Sequence, residues 1–145
     1  MRHRMAAAGL ALIGLLVSIY LLLYKVGVVG SLRCVGSGGC ERVNTSSWSS
    51  FLGVPVAAFG VAGYLVLLGV AMYGLRADQL ERPRATGWLA VLSAVGVLFS
   101  LYLLALELFV IHAVCLWCTV SGVTILAIFV VSAAALRRPS RAPAP

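Results

Sequence analysis

From Thr86 to Leu136 the chain stays apolar for about fifty residues, and a helix needs only about twenty residues to cross the hydrocarbon of a bilayer. That run is too long for one crossing and too apolar for a loop, so a turn must be hidden inside it. Glu107 and His112 mark the place. A break there predicts two helices of crossing length, Gly87 to Leu108 and Cys115 to Leu136, with Cys115-Leu116-Trp117-Cys118 opening the second.

The first half of the chain repeats the pattern. Leu10 to Val29 predicts a first span, and Lys25 near its far end has a stem long enough to carry its ammonium to the interface. Pro55 to Leu75 predicts a second, with Pro55 suited to a first helical turn and Gly60, Gly63 and Gly69 as small residues at which membrane helices approach closely. Arg76 to Ala85 is a short charged connection holding Arg76, Asp78, Glu81, Arg82, Pro83 and Arg84. A hydrophobic content of 62% and a mean hydropathy of +1.07 exclude a soluble core in 145 residues. The first apolar run has no small-residue cleavage site ahead of a soluble domain, so it is expected to remain as a span. The fold class is all-α integral membrane: a four-transmembrane-helix bundle over residues 1–136, followed by a basic, disordered cytoplasmic tail, 137–145.

The net charge of +7 does not point to nucleic acid, because the basic residues cluster where membrane topology is signalled. With four spans, the N-terminus, the charged connection and the tail share one side and carry eight arginines: Arg2, Arg4, Arg76, Arg82, Arg84, Arg137, Arg138 and Arg141. The opposite side carries Arg33 and Arg42. Both termini are thus expected in the cytoplasm. All four cysteines then face outward, where disulfides form and persist. The expected location is a bacterial inner membrane.

Cys34 and Cys40 lie in a segment, Gly30 to Leu52, where apolar character breaks. Gly36, Gly38 and Gly39 leave the backbone free to bring the two sulfurs within bonding distance or let them part. Trp48, Phe51 and Leu52 then recur at helical spacing among serines and predict a short amphipathic half-helix lying over the bundle as a cap. Asn44 and Ser46 fit turn and N-cap roles. Thiols at CxxC spacing close a small disulfide ring, and a sulfur at a helix N-terminus gains thiolate character. Glu107 and His112 are expected to reach water at their turn and stand outside the core site. Trp117, Tyr20, Tyr64 and Tyr102 read as packing or interface residues.

Taken together, Cys34, Cys40, Val43, Asn44, Ser46, Gly53, Pro55 and Gly60, followed by Cys115-Leu116-Trp117-Cys118 opening the last helix, resemble the bacterial vitamin K epoxide reductase homologues over about residues 8 to 136. The resemblance implies a bundle enclosing a quinone, menaquinone or ubiquinone, near the outer face. It implies electron transfer to that quinone from a secreted or membrane-anchored thioredoxin-fold, DsbA-like partner. Cys118 would stand next to the quinone ring, Cys115 would exchange with Cys40, and Cys34 would face the partner. Ser46 would lie near a quinone oxygen, with Ser46 or Asn44 donating to it. Trp48 replaces the tyrosine usual at its position. Many such homologues continue into a fused thioredoxin-like domain, which this sequence does not contain, so the partner is expected to be a separate protein.

Two other readings use the same residues. A DsbB-like oxidase places its CxxC before its widely spaced pair, the reverse of the order here. A soft-metal binding or transport protein would use Cys115, Cys118 and His112 as ligands, but it gives Cys34 and Cys40 no role.

Overall fold

A computed structural model describes residues 2–32, 34, 38–76 and 83–138. Arg33, Gly36, Asp78, Glu81, Arg82 and the tail from 139 onward, all used in the sequence reading, lie outside those residues. Among the described residues, four helices are long and apolar enough to cross a membrane: α1 (Arg2–Lys25), α3 (Val56–Tyr73), α4 (Arg84–Leu106), which a turn of π-helix (Glu107–Ile111) continues, and α5 (Leu116–Arg137). Between α1 and α3 stand a short helix α2 (Gly39–Thr45), a 3-10 turn (Ser47–Ser49) and a two-stranded hairpin, β1 (Ser50–Phe51) with β2 (Val54–Pro55). The expected four-span bundle is therefore the fold.

The spans form a ring in which α1 packs on α3 and α5, and α4 packs on α3 and α5. One core layer joins Ala7, Ala11 and Leu15 of α1 to Tyr64, Leu67 and Ala71 of α3, Leu89 of α4, and Ile125 and Ile128 of α5. Small residues set the helix spacing: a Cβ on Gly14 would overlap the Tyr64 ring, one on Gly60 would press on Ser18, and one on Gly96 would press on Ile125. Gly63 and Gly69, expected at close approaches, have open space around them instead. Leu98, Val123, Leu16 and Val95 are among the large apolar side chains that stay exposed, as a surface bathed by lipid tails requires.

Hydrogen bonds define the two ends of the bundle. At one, the buried Arg4 guanidinium donates to the carbonyl oxygen of Gly74 and to Thr86 Oγ1, tying the start of α1 to the α3–α4 connection. At the other, Lys25 Nζ donates to the carbonyl oxygen of Asn44 at 2.9 Å and to Ser49 Oγ. Lys25 thus holds the cap onto α1 rather than merely reaching the interface. The cap differs from expectation too. Its helix lies at Gly39–Thr45, upstream of Trp48, while Trp48 sits in the 3-10 turn and Phe51 and Leu52 in the hairpin. Leu52 and Gly53 both take positive φ there, which closes a tight turn and ends helical spacing. Pro55 precedes α3 as its N-cap rather than filling its first turn.

Candidate redox site

The π-helical turn is what separates the two halves of the long apolar run. Its first carbonyl, that of Glu107, accepts from the N–H groups of both His112 and Ala113, with His112 in the left-handed region at φ 55°. The backbone therefore reverses within a few residues, and Cys115 becomes the N-cap of α5. Its Sγ accepts the backbone N–H of Cys118 at 3.4 Å, so the first sulfur of the CxxC is itself the cap.

All four cysteines meet at this end. Cys34 and Cys40 are joined as a disulfide, whereas Cys115 and Cys118 are free thiols. Cys40 and Cys115 are fully buried in one apolar cluster with Val17, Leu21, Leu32 and Val43, and Cys34, Trp117 and Cys118 pack against it. Gly39 permits this approach: a Cβ there would run into the carbonyl oxygen of Val114, the residue before Cys115. Asn44 then bridges the pairs, its Nδ2 donating to the carbonyl oxygen of Cys40 at 2.9 Å and lying 3.7 Å from Cys115 Sγ. The Cys118 side chain, hydrogen-bonded to Cys115, holds the Cys115 thiol below its ordinary range. Burial opposes this, and the N–H groups of Cys118 and Trp117 assist.

Cys118 opens onto a cavity of about 730 Å³ among the four spans. Most of its wall is apolar, from Leu67, Val95, Phe99, Leu103 and Ile125 among others, while Asn44, Ser49 and Glu107 bring polar groups to the cysteine end. An apolar chamber with a few convergent polar groups beside a thiol fits a lipid-soluble ring compound. Trp48 forms part of the wall. Ser46 does not: its hydroxyl donates to the carbonyl oxygen of Val43 at 2.8 Å, completing the end of α2 instead of capping a following helix.

Glu107 is the residue that sequence reasoning set aside. Rather than reaching water, it is 4% exposed, its Oε2 accepts the N–H of Cys115 at 3.3 Å, and its carboxyl contacts the Cys118 side chain. Its position eight residues before the CxxC carried the signal, but the direction of its side chain depends on the π-helical turn. His112, in contrast, is exposed. Among the described residues no cluster of three or more His, Cys, Asp or Glu side chains is arranged to hold a metal, so Cys115, Cys118 and His112 do not form the ligand set that a metal-binding reading requires. Tyr64 lines the cavity and its hydroxyl donates to the carbonyl oxygen of Ser121, while Trp117 meets Tyr20 edge to face at 5.3 Å.

The family model described as the Vitamin K epoxide reductase family matches residues 5–133 of the 145. With four spans, a paired loop and a CxxC at one end of a common cavity, the chain belongs to the vitamin K epoxide reductase family of membrane oxidoreductases.

Proposed function

We propose that this protein is a quinone-dependent thiol oxidase that reoxidises a secreted, DsbA-like thioredoxin-fold partner and so sustains disulfide formation. The observation that carries the proposal is the burial of Cys40 and Cys115 in one cluster, bridged by Asn44, with Cys118 opening onto the apolar cavity. Two cysteine pairs so arranged can pass electrons inward by thiol exchange, each exchange moving an electron pair.

A partner thiolate attacks Cys34, the less buried sulfur of the loop disulfide, and releases Cys40 as a thiolate. The partner's second thiol then displaces Cys34, leaving the partner oxidised and the loop reduced. Cys40 attacks Cys115 of an oxidised CxxC and expels Cys118. Cys34 next displaces Cys115 from Cys40, which restores the loop disulfide and leaves the CxxC reduced. A lowered thiol makes Cys115 a good leaving group at this point. The quinone supplies a two-electron sink more oxidising than a DsbA-like partner, which lies at about −120 mV. Cys118 delivers the electron pair into the cavity as its sulfur rebonds to Cys115, and Asn44 lines the same cavity with its amide committed to the Cys40 carbonyl and Cys115. In this reading the cysteines face the periplasmic side, both termini are cytoplasmic, and the membrane is the bacterial inner one. The eight-to-two distribution of arginines supports it.

The test is anaerobic quinone reduction by the purified protein, driven by a reduced DsbA-like protein or by dithiothreitol. Wild type is expected to turn over with both donors, Cys118→Ala with neither, and Cys34→Ala with dithiothreitol only. Quinone reduction by Cys118→Ala at the wild-type rate would overturn the relay.

A further inference from the structure

Oxidising the CxxC dithiol releases two electrons and two protons, and a quinone becomes a quinol only when both of each arrive. The cysteines account for the electrons. The protons need a carrier inside an apolar chamber, where water is scarce.

We propose that Glu107 is that carrier, taking the proton of the Cys118 thiol at its carboxylate and releasing it to the acceptor oxygen in the cavity. The proposal rests on the quinone-reductase reading above. Glu107 contacts the proton donor and faces the space open to an acceptor: its carboxyl contacts the Cys118 side chain and lines the same cavity as Cys118. A buried carboxyl at the end of a membrane span is costly and needs a compensating role. Among the described residues no basic side chain forms an ion pair with it, and its one backbone donor is the N–H of Cys115. A purely structural acceptor for that N–H needs no ionisable group, since an amide oxygen serves equally well. The π-helical turn adds a second reason. Such turns concentrate at functional positions, and this one begins at Glu107 and aims its side chain back at the CxxC.

In balanced form, each cycle breaks two S–H bonds and forms the Cys115–Cys118 bond, and the acceptor gains two electrons and two protons: the Cys118 proton arrives through Glu107, the Cys115 proton is lost to water, and the second acceptor oxygen takes a proton from water. Glu107 handles the Cys118 proton, and it returns to its starting state when the acceptor oxygen is protonated. The other ionisable groups nearby are accounted for. Cys115, the N-cap of α5, is the CxxC partner, Lys25 on α1 is directed to the Asn44 carbonyl and Ser49, Tyr64 on α3 lines the cavity with its hydroxyl donating to the carbonyl oxygen of Ser121, and His112 is exposed.

Glu107→Gln separates the roles, because glutamine keeps an oxygen for the Cys115 N–H but cannot exchange a proton. With menadione as acceptor and dithiothreitol as donor, Glu107→Gln is expected to lose about a hundredfold or more in turnover, the scale of a proton-transfer residue. Glu107→Asp should retain part of the activity. A second readout needs no turnover. In protein whose other three cysteines are serine, Cys118 alkylation by iodoacetamide should follow two protonation steps across pH, and Glu107→Gln should leave one. Turnover of Glu107→Gln at the wild-type rate would overturn the proposal, as would an alkylation profile that Glu107→Gln leaves unchanged. If wild type itself reduces no menadione, the quinone-reductase reading fails and takes this proposal with it. A loss confined to Glu107→Gln with two alkylation steps intact would make Glu107 a structural acceptor only.

Discussion

One amide group spans the two cysteine pairs: Asn44 Nδ2 donates to the carbonyl oxygen of Cys40 and stands 3.7 Å from Cys115 Sγ. A donor there favours charge on Cys115 and fixes the distance between the loop and the CxxC. Asn44→Ala removes both effects, and the loss of about one hydrogen bond predicts an approximately tenfold slower transfer from the loop pair to the CxxC. Stopped-flow reduction of an oxidised CxxC by a prereduced loop measures it.

The fit of Gly39 against Val114 makes a steric prediction. Gly39→Val forces its Cβ into the Val114 carbonyl oxygen, so α2 must retreat from the turn that carries Cys115. Overpacking of this kind costs about 1–3 kcal/mol. The expected phenotype is loss of partner-driven quinone reduction while dithiothreitol-driven reduction persists, and a thermal melt of the variant reports the cost.

Lys25 holds the cap through the Asn44 carbonyl and Ser49. In Lys25→Met those two acceptors lose their charged donor, worth about 1.5–3 kcal/mol for a bond to a charged group. Residues 44–49 should then exchange amide hydrogens at least about tenfold faster, with α3 and α5 unchanged. Equal protection in the variant would show that the cap is held by other contacts.

The Cys118 side chain is the largest influence keeping the Cys115 thiol low. In a background lacking the loop cysteines, Cys118→Ala should move the thiolate titration of Cys115 upward in pH, and Cys118→Ser should move it less, because serine retains a donor. The sign follows from the folded-state shift. A depressed thiol favours the folded, reduced protein at pH above the ordinary thiol range, and that contribution fades as pH falls through the lowered value. Thiolate absorbance read against pH checks both variants.

Hydropathy and spacing alone determined the four spans, the turn within the Thr86 to Leu136 run, and the CxxC at the start of the last helix. These are local properties: a bilayer's thickness dictates helix length, and polar residues cannot sit far inside it without partners. The two ends of Cys34–Cys40 were likewise legible, since only six positions separate them. Tertiary structure decided the rest. Ser46 turned its hydroxyl back to the Val43 carbonyl because it ends the helix Gly39–Thr45, which lies upstream of Trp48. Lys25 became a latch because α2 folds back over the end of α1. Glu107 passed from an expected solvent-facing turn residue to the buried neighbour of Cys118, because one turn of π-helix rotated its side chain inward. Periodicity cannot register such a rotation, since it comes from how the reversed backbone packs on α5 and not from the order of residues along it.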